Sequence, residues 1–262
     1  MKIVAVLGYT DCQILDITGP LQVFASANKA LDKEAYKIQI LGSSSAPIVT
    51  NSGMKLLPDL PYEDALEIDT LLLSGGHGVS RQVENRELIQ WLQKQNRLVR
   101  RIGSVCSGTF LLAKAGLIQG KQVATHWKCC DLLAEQFPDL SVDPDSIWIK
   151  EGHLYTSAGV TSGIDLALAL VEEDFGHAIA MEVARELVVF IKRPGGQAQY
   201  SAQLQAQNKA TGVVAKAIAY IEKNLNKDLN LSLLAEHCCV SERHLFRLFK
   251  EDYSVSPVVY IE

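Results

Sequence analysis

Cys106 stands at the junction between a strand-like segment (98–105) and a helical pattern that begins directly after it. Ser104 and Gly108, two residues before and after it, are small enough for a tight strand-to-helix turn, the cysteine form of a nucleophile elbow. Such a turn exposes the sulfur at the end of a sheet and points it toward a helix N-terminus, where the dipole favours thiolate. The pattern predicts a reactive thiol. A buried structural cysteine is the alternative.

The composition sets the size and the class of protein. A chain of 262 residues, 48% of them hydrophobic, has room for one large α/β domain and a small one. The net charge of −5 gives no general attraction to nucleic acid or to an anionic membrane, and no run of eighteen apolar residues predicts a transmembrane helix. The N-terminus is typical of a first strand. Six cysteines without C-x-x-C spacing indicate reduced thiols in a cytoplasm.

Strand-like and amphipathic segments alternate through the first two thirds of the chain. This alternation predicts an α/β fold with a mostly parallel sheet and helices on both faces. The predicted strands are 2–7, 37–41, 70–74, 98–105, 122–125, 147–150 and 153–157. The predicted helices are 19–30, 86–95, 107–115, 127–137, 162–175 and 177–191.

Ligands bind at the carboxyl ends of the strands in such a sheet, and two candidate segments lie there. One is Cys106. The other is the turn Ser74-Gly75-Gly76-His77-Gly78, whose glycines bring backbone N–H groups close to a ligand. The turn lacks the G-x-G-x-x-G order of a dinucleotide-binding loop, and no spacing of His, Cys, Asp or Glu predicts a metal site. We therefore expect neither a metal nor a cofactor. His77 is either a ligand contact or a solvated loop residue.

The pattern breaks near residue 192, where one Pro, two Gly and a Gln-rich stretch predict an interdomain linker. The chain is helical again over 213–224. Two short helical patterns follow, with Asn230 and Ser241 as N-caps, and together they predict a helix-turn-helix. Leu245, Leu248 and Phe249 are expected in its core.

The second of these helices carries a basic face. Arg243 and Arg247 share it with Lys250, and His244 lies nearby, so that Ser241, Arg243, His244 and Arg247 are the expected DNA contacts. A helical hairpin with a solvated basic face is the alternative. Residues 209–262 hold seven Lys or Arg and seven Asp or Glu, a net charge of zero. Because phosphate neutralisation supplies most non-specific affinity, we expect weak DNA binding.

Several motifs, taken in order, resemble a known arrangement. The first part is similar to the ThiJ/PfpI branch of class I glutamine amidotransferase-like domains, and the rest resembles the hinge and first helix-turn-helix of an AraC/XylS-type DNA-binding domain. The motifs are Leu15-Asp16-Ile17-Thr18-Gly19-Pro20, Ser74-Gly75-Gly76, Gly103 to Gly108, Thr125-His126-Trp127, Ser157-Ala158-Gly159, Arg193-Pro194-Gly195-Gly196-Gln197, Leu234-Ala235, Val240-Ser241, Arg243, Leu245, Arg247 and Phe249.

The resemblance implies a flavodoxin-like sensor domain over residues 1–192, a linker over 193–208 and a partial all-α DNA-binding domain over 209–262. An AraC-type domain has two helix-turn-helix units, and the second is missing here, so the resemblance implies a C-terminally truncated DNA-binding domain. Domains of this superfamily commonly dimerise, and paired half-sites need two copies. A homodimer is therefore expected.

The resemblance also implies roles around the elbow. Asp16, expected in the first βα loop, and His126, after the following strand, would be the catalytic partners of Cys106 in an active enzyme. An acidic partner at Asp16 resembles the arrangement in isocyanide hydratases. The N–H groups of Gly76 and Ser107 would form an anion pocket beside the sulfur, and Gly75, Gly76, His77, Cys106 and Ser107 are the expected ligand contacts.

Three functional hypotheses stay open at this point. The favoured one is a transcription regulator that binds promoter DNA under the control of a small metabolite, for which the resemblance implies a polar or cationic, amino-acid-derived compound. The second is a cysteine-dependent hydratase or hydrolase of a small electrophile. The third is redox sensing by oxidation of Cys106.

Overall fold

The computed structural model describes residues 1–191, 196–197, 212–224, 229–253 and 255–261. The chain divides into two compact units, Met1–Gln197 and Ala198–Glu262. The boundary falls within the predicted linker 193–208, most of which lies outside the described residues.

The first unit is built on a seven-stranded sheet in the order β10-β11-β7-β6-β1-β2-β5. All neighbours are parallel except β10, which runs antiparallel to β11. Two short pairs, β3 with β4 and β8 with β9, lie outside it. The bounds are β1 Lys2–Leu7, β2 Tyr36–Gly42, β3 Ile48–Val49, β4 Lys55–Leu56, β5 Leu60–Pro61, β6 Thr70–Leu73, β7 Arg101–Val105, β8 Gln122–Val123, β9 Ser141–Val142, β10 Trp148–Glu151 and β11 Leu154–Ser157.

The helices pack in two groups. Helices α1, α6 and α7 contact one another, and α4 contacts α2 and α3. The order of the strands explains this, because right-handed crossovers from β1 to β2 and from β6 to β7 run in opposite directions across the sheet. The bounds are α1 Ile14–Ala30, α2 Val79–Gln82, α3 Arg86–Gln95, α4 Thr109–Lys114, α5 Cys130–Gln136, α6 Ser162–Phe175 and α7 His177–Glu186.

The strand order reverses between β1 and β6, and this switch point positions the site. Both strands are apolar, with β6 and the neighbouring β7 buried along their whole length, as expected when a parallel sheet is covered on both faces. A crevice opens at the carboxyl ends of the strands on either side of such a reversal. The loops after β1, β6 and β7 meet there.

The predicted α/β architecture is confirmed, as are the predicted bounds 2–7, 86–95 and 162–175. The other ten predicted bounds differ from the observed ones by at least one residue, and four of these differences have a plain physical reason. Helix α1 begins at Ile14 and not at residue 19, since Gly19 has no Cβ to clash with the ring of Pro20 and both residues are buried. Strand β7 begins at Arg101, because the residues before it form the turn that ends α3.

The remaining corrections concern the ends of elements. The segment predicted as a strand over 122–125 stops at Val123 and pairs with β9 instead of joining the large sheet. The helix predicted over 177–191 ends at Glu186, and Val188 is an exposed residue with φ +55°.

The second unit contains α8 Val213–Lys223, α9 Leu231–His237, α10 Glu242–Tyr253 and α11 Pro257–Ile261. The predicted N-caps are confirmed: Asn230 Oδ1 accepts from the N–H of Leu233 at 2.9 Å, and Ser241 Oγ from that of His244 at 3.2 Å. As predicted, Leu245 and Phe249 are fully buried between α8, α9 and α10, with Leu248 packed against them. No helix in the described ranges has the length and apolarity to cross a membrane.

Candidate functional site

Cys106 is the first residue after β7 and opens a short 3-10 turn that leads into α4. Its backbone has φ +59°, the left-handed region that side chains rarely occupy. The hydroxyl of Thr125 holds its carbonyl oxygen, donating to it at 2.9 Å, whereas Thr109 Oγ1 donates to the carbonyl oxygen of Ala124 at 3.0 Å. The turn therefore stores backbone strain that its neighbours hold in place.

Two glycines from other loops press against Cys106. A Cβ added at Gly75 would stand 2.8 Å from the Cβ of Cys106 and 2.6 Å from the nitrogen of Ser107. A Cβ added at Gly159, which has φ +105°, would overlap the Cβ of Cys106 and lie 2.8 Å from its sulfur. Cys106 is 9% exposed as a result, and these approaches require glycine.

Burial raises the pKa of the Cys106 thiol well above its ordinary value, and the nearby Asp16 carboxylate raises the pKa further. A hydrogen bond from the backbone N–H of Ser107 lowers it by less. The expectation that the helix N-terminus favours the thiolate is therefore wrong for this turn. Removal of water from the sulfur is the largest of these effects.

Asp16 lies fully buried in the first turn of α1, and the prediction that it belongs to the first βα loop is wrong. Its Oδ2 accepts from the N–H of Gly75 at 2.8 Å, and its Oδ1 accepts from the N–H of Val160 at 2.9 Å. Burial raises the pKa of this carboxyl to about 7, against the two hydrogen bonds that lower it. A carboxyl group with this pKa exchanges its proton near neutral pH.

The N–H groups predicted to form an anion pocket both have partners within the protein. Gly76 N–H donates to Ser107 Oγ at 2.9 Å, and Ser107 Oγ also lies 3.3 Å from the carbonyl oxygen of Gly76. The N–H of Ser107 is the one directed at the Cys106 sulfur. These bonds tie the glycine turn after β6 to the Cys106 turn, so an anion would have to displace them.

A cavity of about 690 Å³ opens beside Cys106. His126, His77, Gly76 and Ser107 line it as well, so the structure brings together most of the predicted contacts. Asp16 and Gly75 lie behind this wall. Burial lowers the pKa of His126, as does the charge of Lys128 to a smaller extent, so its imidazole is neutral near pH 7.

Sequence reasoning missed part of the cavity wall. Cys129, Lys128, Phe110 and Gln13 also line the cavity, and none of them is among the predicted ligand contacts. Lys128 and Cys129 reach the wall because the turn Trp127–Cys129, to which they belong, follows His126 directly. Its position after the motif at residue 125 was the available signal. Within the described parts of the chain, no group of three or more His, Cys, Asp or Glu residues could hold a metal ion.

The second unit presents the predicted basic face on α10. Arg243 and Arg247 are exposed, and both line a surface groove with Ser241 and His244. Arg247 pairs with Glu251 at 2.7 Å and lies 3.2 Å from the Nδ1 of His244. Phe246, 41% exposed and not predicted, completes the groove. A base-edge or phosphate contact would have to compete with the Glu251 carboxylate for Arg247.

Comparison with known proteins agrees with this architecture. The model of the DJ-1/PfpI family matches residues 1–173. The HTH-type transcriptional regulator GbdR of Pseudomonas aeruginosa is 27% identical over 248 residues, 94% of this chain and 67% of its own length. The isonitrile hydratase of Pseudomonas putida is 33% identical over 181 residues, 68% of this chain and 75% of the hydratase.

Solved structures agree as well. The crystal structure of a ThiJ/PfpI family protein from Pseudomonas syringae superposes with a TM-score of 0.65 and 26% identity, over 74% of this chain and 76% of that one. The family match covers the sheet, the glycine turn and the Cys106 turn together. The chain belongs to the DJ-1/PfpI family.

Proposed function

We propose that this protein is a transcription regulator that binds DNA through α10 and responds to a small molecule in the cavity beside Cys106. The observation that carries the proposal is the alignment with the regulator GbdR, which spans both units of this chain. A cavity in the first unit and a basic helix-turn-helix face in the second are the two parts that such a regulator needs.

The cavity wall supports a ligand with both polar and apolar parts. Phe110, Val83 and Leu132 offer apolar surface, whereas Glu84 and Lys128 offer one charge of each sign. A ligand shifts a conformational equilibrium only when it binds one conformation more tightly than the other. The change in DNA affinity that the ligand causes therefore measures the difference between its affinities for the two conformations. We also propose a homodimer, since paired half-sites need two copies, and a cytoplasmic location, in keeping with six free cysteines.

DNA binding tests the proposal directly. Fluorescence anisotropy would follow the full chain on labelled promoter fragments from its own and neighbouring genes, with and without candidate amino-acid-derived metabolites. Exchanging Arg243 and Arg247 for Ala should weaken binding and lower the slope of log K against log salt by about 2, roughly one per lost phosphate contact. The double variant Lys216→Ala and Lys223→Ala removes two charges from α8 of the same unit and should leave the slope closer to wild type.

The proposal requires that the protein bind DNA and that Arg243 and Arg247 contribute to the binding. If no fragment binds at low salt under either condition, or if the two double variants bind equally well, the proposal is overturned. A change in affinity with one metabolite, lost when His126 is replaced by Ala, would place the effector in this cavity.

A second candidate is a cysteine-dependent hydratase acting on a small electrophile. The specific observation in its favour is Asp16, whose pKa of about 7 next to Cys106 suits proton transfer, together with the similarity to isonitrile hydratase. The raised pKa of the Cys106 thiol opposes it, because the thiolate is the nucleophile. Turnover of isocyanides that Cys106→Ala abolishes would support this candidate, and equal rates with and without the thiol would exclude it.

A further inference from the structure

Gln197 is the last residue of the first unit, and it is docked there by three hydrogen bonds. Its side-chain Nε2 donates to the carbonyl oxygens of Thr125 at 3.1 Å and Ser146 at 3.0 Å, and its backbone N–H donates to that of Asp145 at 2.7 Å. The residue is 6% exposed. Burying an amide without partners costs free energy, so these bonds are what allows a glutamine of the predicted linker to lie inside.

Gly196 fits the same docking site. A Cβ at this position would overlap both the carboxylate and the backbone oxygen of Asp145. Two consecutive residues therefore match one surface, the glycine by its lack of a side chain and the glutamine by its paired donors. Glutamines in a flexible linker have no such requirement. The segment is an anchor at the point where the chain leaves the first unit.

Thr125 joins this anchor to the cavity. Its carbonyl oxygen accepts from Gln197, while its hydroxyl donates to the carbonyl oxygen of Cys106 at 2.9 Å. Thr125 is fully buried, and the next residue, His126, lines the cavity. Thr125 thus contacts both the strained turn at Cys106 and the side chain of Gln197, at the point where the chain leaves the first unit.

We propose that Gln197 couples the cavity beside Cys106 to the segment that leads to the helix-turn-helix unit. A small molecule that moves His126 and Thr125 changes the hold on Gln197, and release of Gln197 loosens the Cys106 turn. The inference deepens the proposed function, on which it rests for the ligand. Because coupling between two sites is reciprocal, it can be measured from the Gln197 end without the ligand.

The test uses the full chain with Gln197→Ala, which removes the side-chain donors, and Gln197→Glu, which turns a carboxylate toward two carbonyl oxygens. Gln122→Ala is the matched control, since the amide of this exposed residue donates to Asp143 at the surface, at 3.3 Å. The readout is the rate of alkylation of Cys106 by iodoacetamide, followed peptide by peptide so that Cys129 is counted separately.

We expect Cys106 to react at least threefold faster in both Gln197 variants, with Gln197→Glu the faster, and at the wild-type rate in the control. Equal rates in wild type and both Gln197 variants, including no reaction in any of them, overturn the coupling. So does faster reaction in the control.

Hydrogen exchange separates coupling from general loosening. In both Gln197 variants, amides of 122–130 and of the Cys106 turn should exchange faster, whereas those of β1, in the middle of the sheet, should not change. Equal acceleration in β1 would make Gln197 a stability residue only and overturn the inference. Neither readout involves DNA. If the protein does not bind DNA but the Gln197 variants change Cys106 alkylation and hydrogen exchange as expected, the proposed function alone is rejected. If it binds DNA but the variants change neither readout, the coupling alone is rejected.

Discussion

An aspartate side chain is buried at each end of the parallel strands of the large sheet, but the groups around it differ. We call the side of the sheet where these strands begin the amino edge and the side where they end the carboxyl edge. At the amino edge Asp174, at the end of α6, lies between Arg100 and Arg101, with ion-pair distances of 2.9 and 3.0 Å, and accepts from Tyr36 at 2.8 Å. At the carboxyl edge the two oxygens of Asp16 accept hydrogen bonds from backbone N–H groups, and no cationic side chain among the described residues pairs with them.

The pKa values follow from this difference. Burial raises the pKa of Asp174, but hydrogen bonds from Arg100, Tyr36 and Arg101 outweigh it and the pKa lies below its ordinary value. Burial of Asp16 is opposed only by two amides, and its pKa rises to about 7. Asp16 is the more deeply buried of the two, and amide dipoles compensate a buried charge less than guanidinium groups do. The amino edge is thus arranged for stability, and the carboxyl edge keeps an acid that titrates near neutrality.

Removing the acid of the amino edge should have the largest effect on stability. Asp174→Ala leaves the buried Arg101 guanidinium with a half-exposed ion-pair partner, Glu173, and a long hydrogen bond to the carbonyl oxygen of Leu170, so we expect a loss of about 3–5 kcal/mol in the free energy of unfolding at pH 7. Urea denaturation measures it. Glu186→Ala, which removes the exposed partner of Lys29, is the control and should change nothing measurable. Equal losses in the two variants would mean that the amino edge contributes no special stability.

The pH dependence of stability tests the carboxyl edge. The pKa of Asp16 is raised from 3.8 to about 7 in the folded protein, so the folded state binds the proton more tightly. Its contribution is full below pH 4 and is lost as the pH rises toward 7, a change on the order of 3–4 kcal/mol. Asp16→Asn cannot titrate. The stability of this variant relative to wild type should therefore rise from pH 4 to pH 8, in urea titrations at each pH.

The relative measure matters because the amino edge titrates in the opposite sense. The pKa of Asp174 is lowered, so its contribution to stability is lost on acidification, and the wild-type curve contains both effects. Subtracting the Asp16→Asn curve cancels the amino edge. A constant difference between the two curves from pH 4 to pH 8 would show that Asp16 is ionised throughout, and the contrast between the edges would disappear.

How far the sequence predicts these regions depends on how local their causes are. The N-caps Asn230 and Ser241 were predictable, because each acts on an N–H three residues away. The raised pKa of Cys106 was not, since it arises from burial by Gly75 and Gly159, which come from two other loops.

The same limit explains two other misses. Strand 122–125 was placed in the wrong sheet because its composition does not identify its partner, β9. Gln197 has the composition of the linker around it, and only its hydrogen bonds to Thr125 and Ser146 distinguish it. Fold class and the place of the cavity followed from strand alternation and topology, whereas the charge state of the site depended on contacts between distant segments.

The smallest predicted effect separates close packing at the carboxyl edge from backbone strain alone. Gly159 and Gly152 both have positive φ, +105° and +68°, but a Cβ at Gly152 would meet nothing within 4 Å. Gly152→Ala should cost about 1–2 kcal/mol in unfolding free energy for its backbone conformation. Gly159→Ala should cost about 1–3 kcal/mol more, because it also overlaps Cys106. Urea titrations of both variants give the difference, and alkylation of Cys106 should change only in Gly159→Ala. If the two variants lose equal stability and leave Cys106 equally reactive, the crowding around the thiol is relieved at no cost. The packing around Cys106 would then contribute less to the stability of the fold than the ion pairs of Arg101 do.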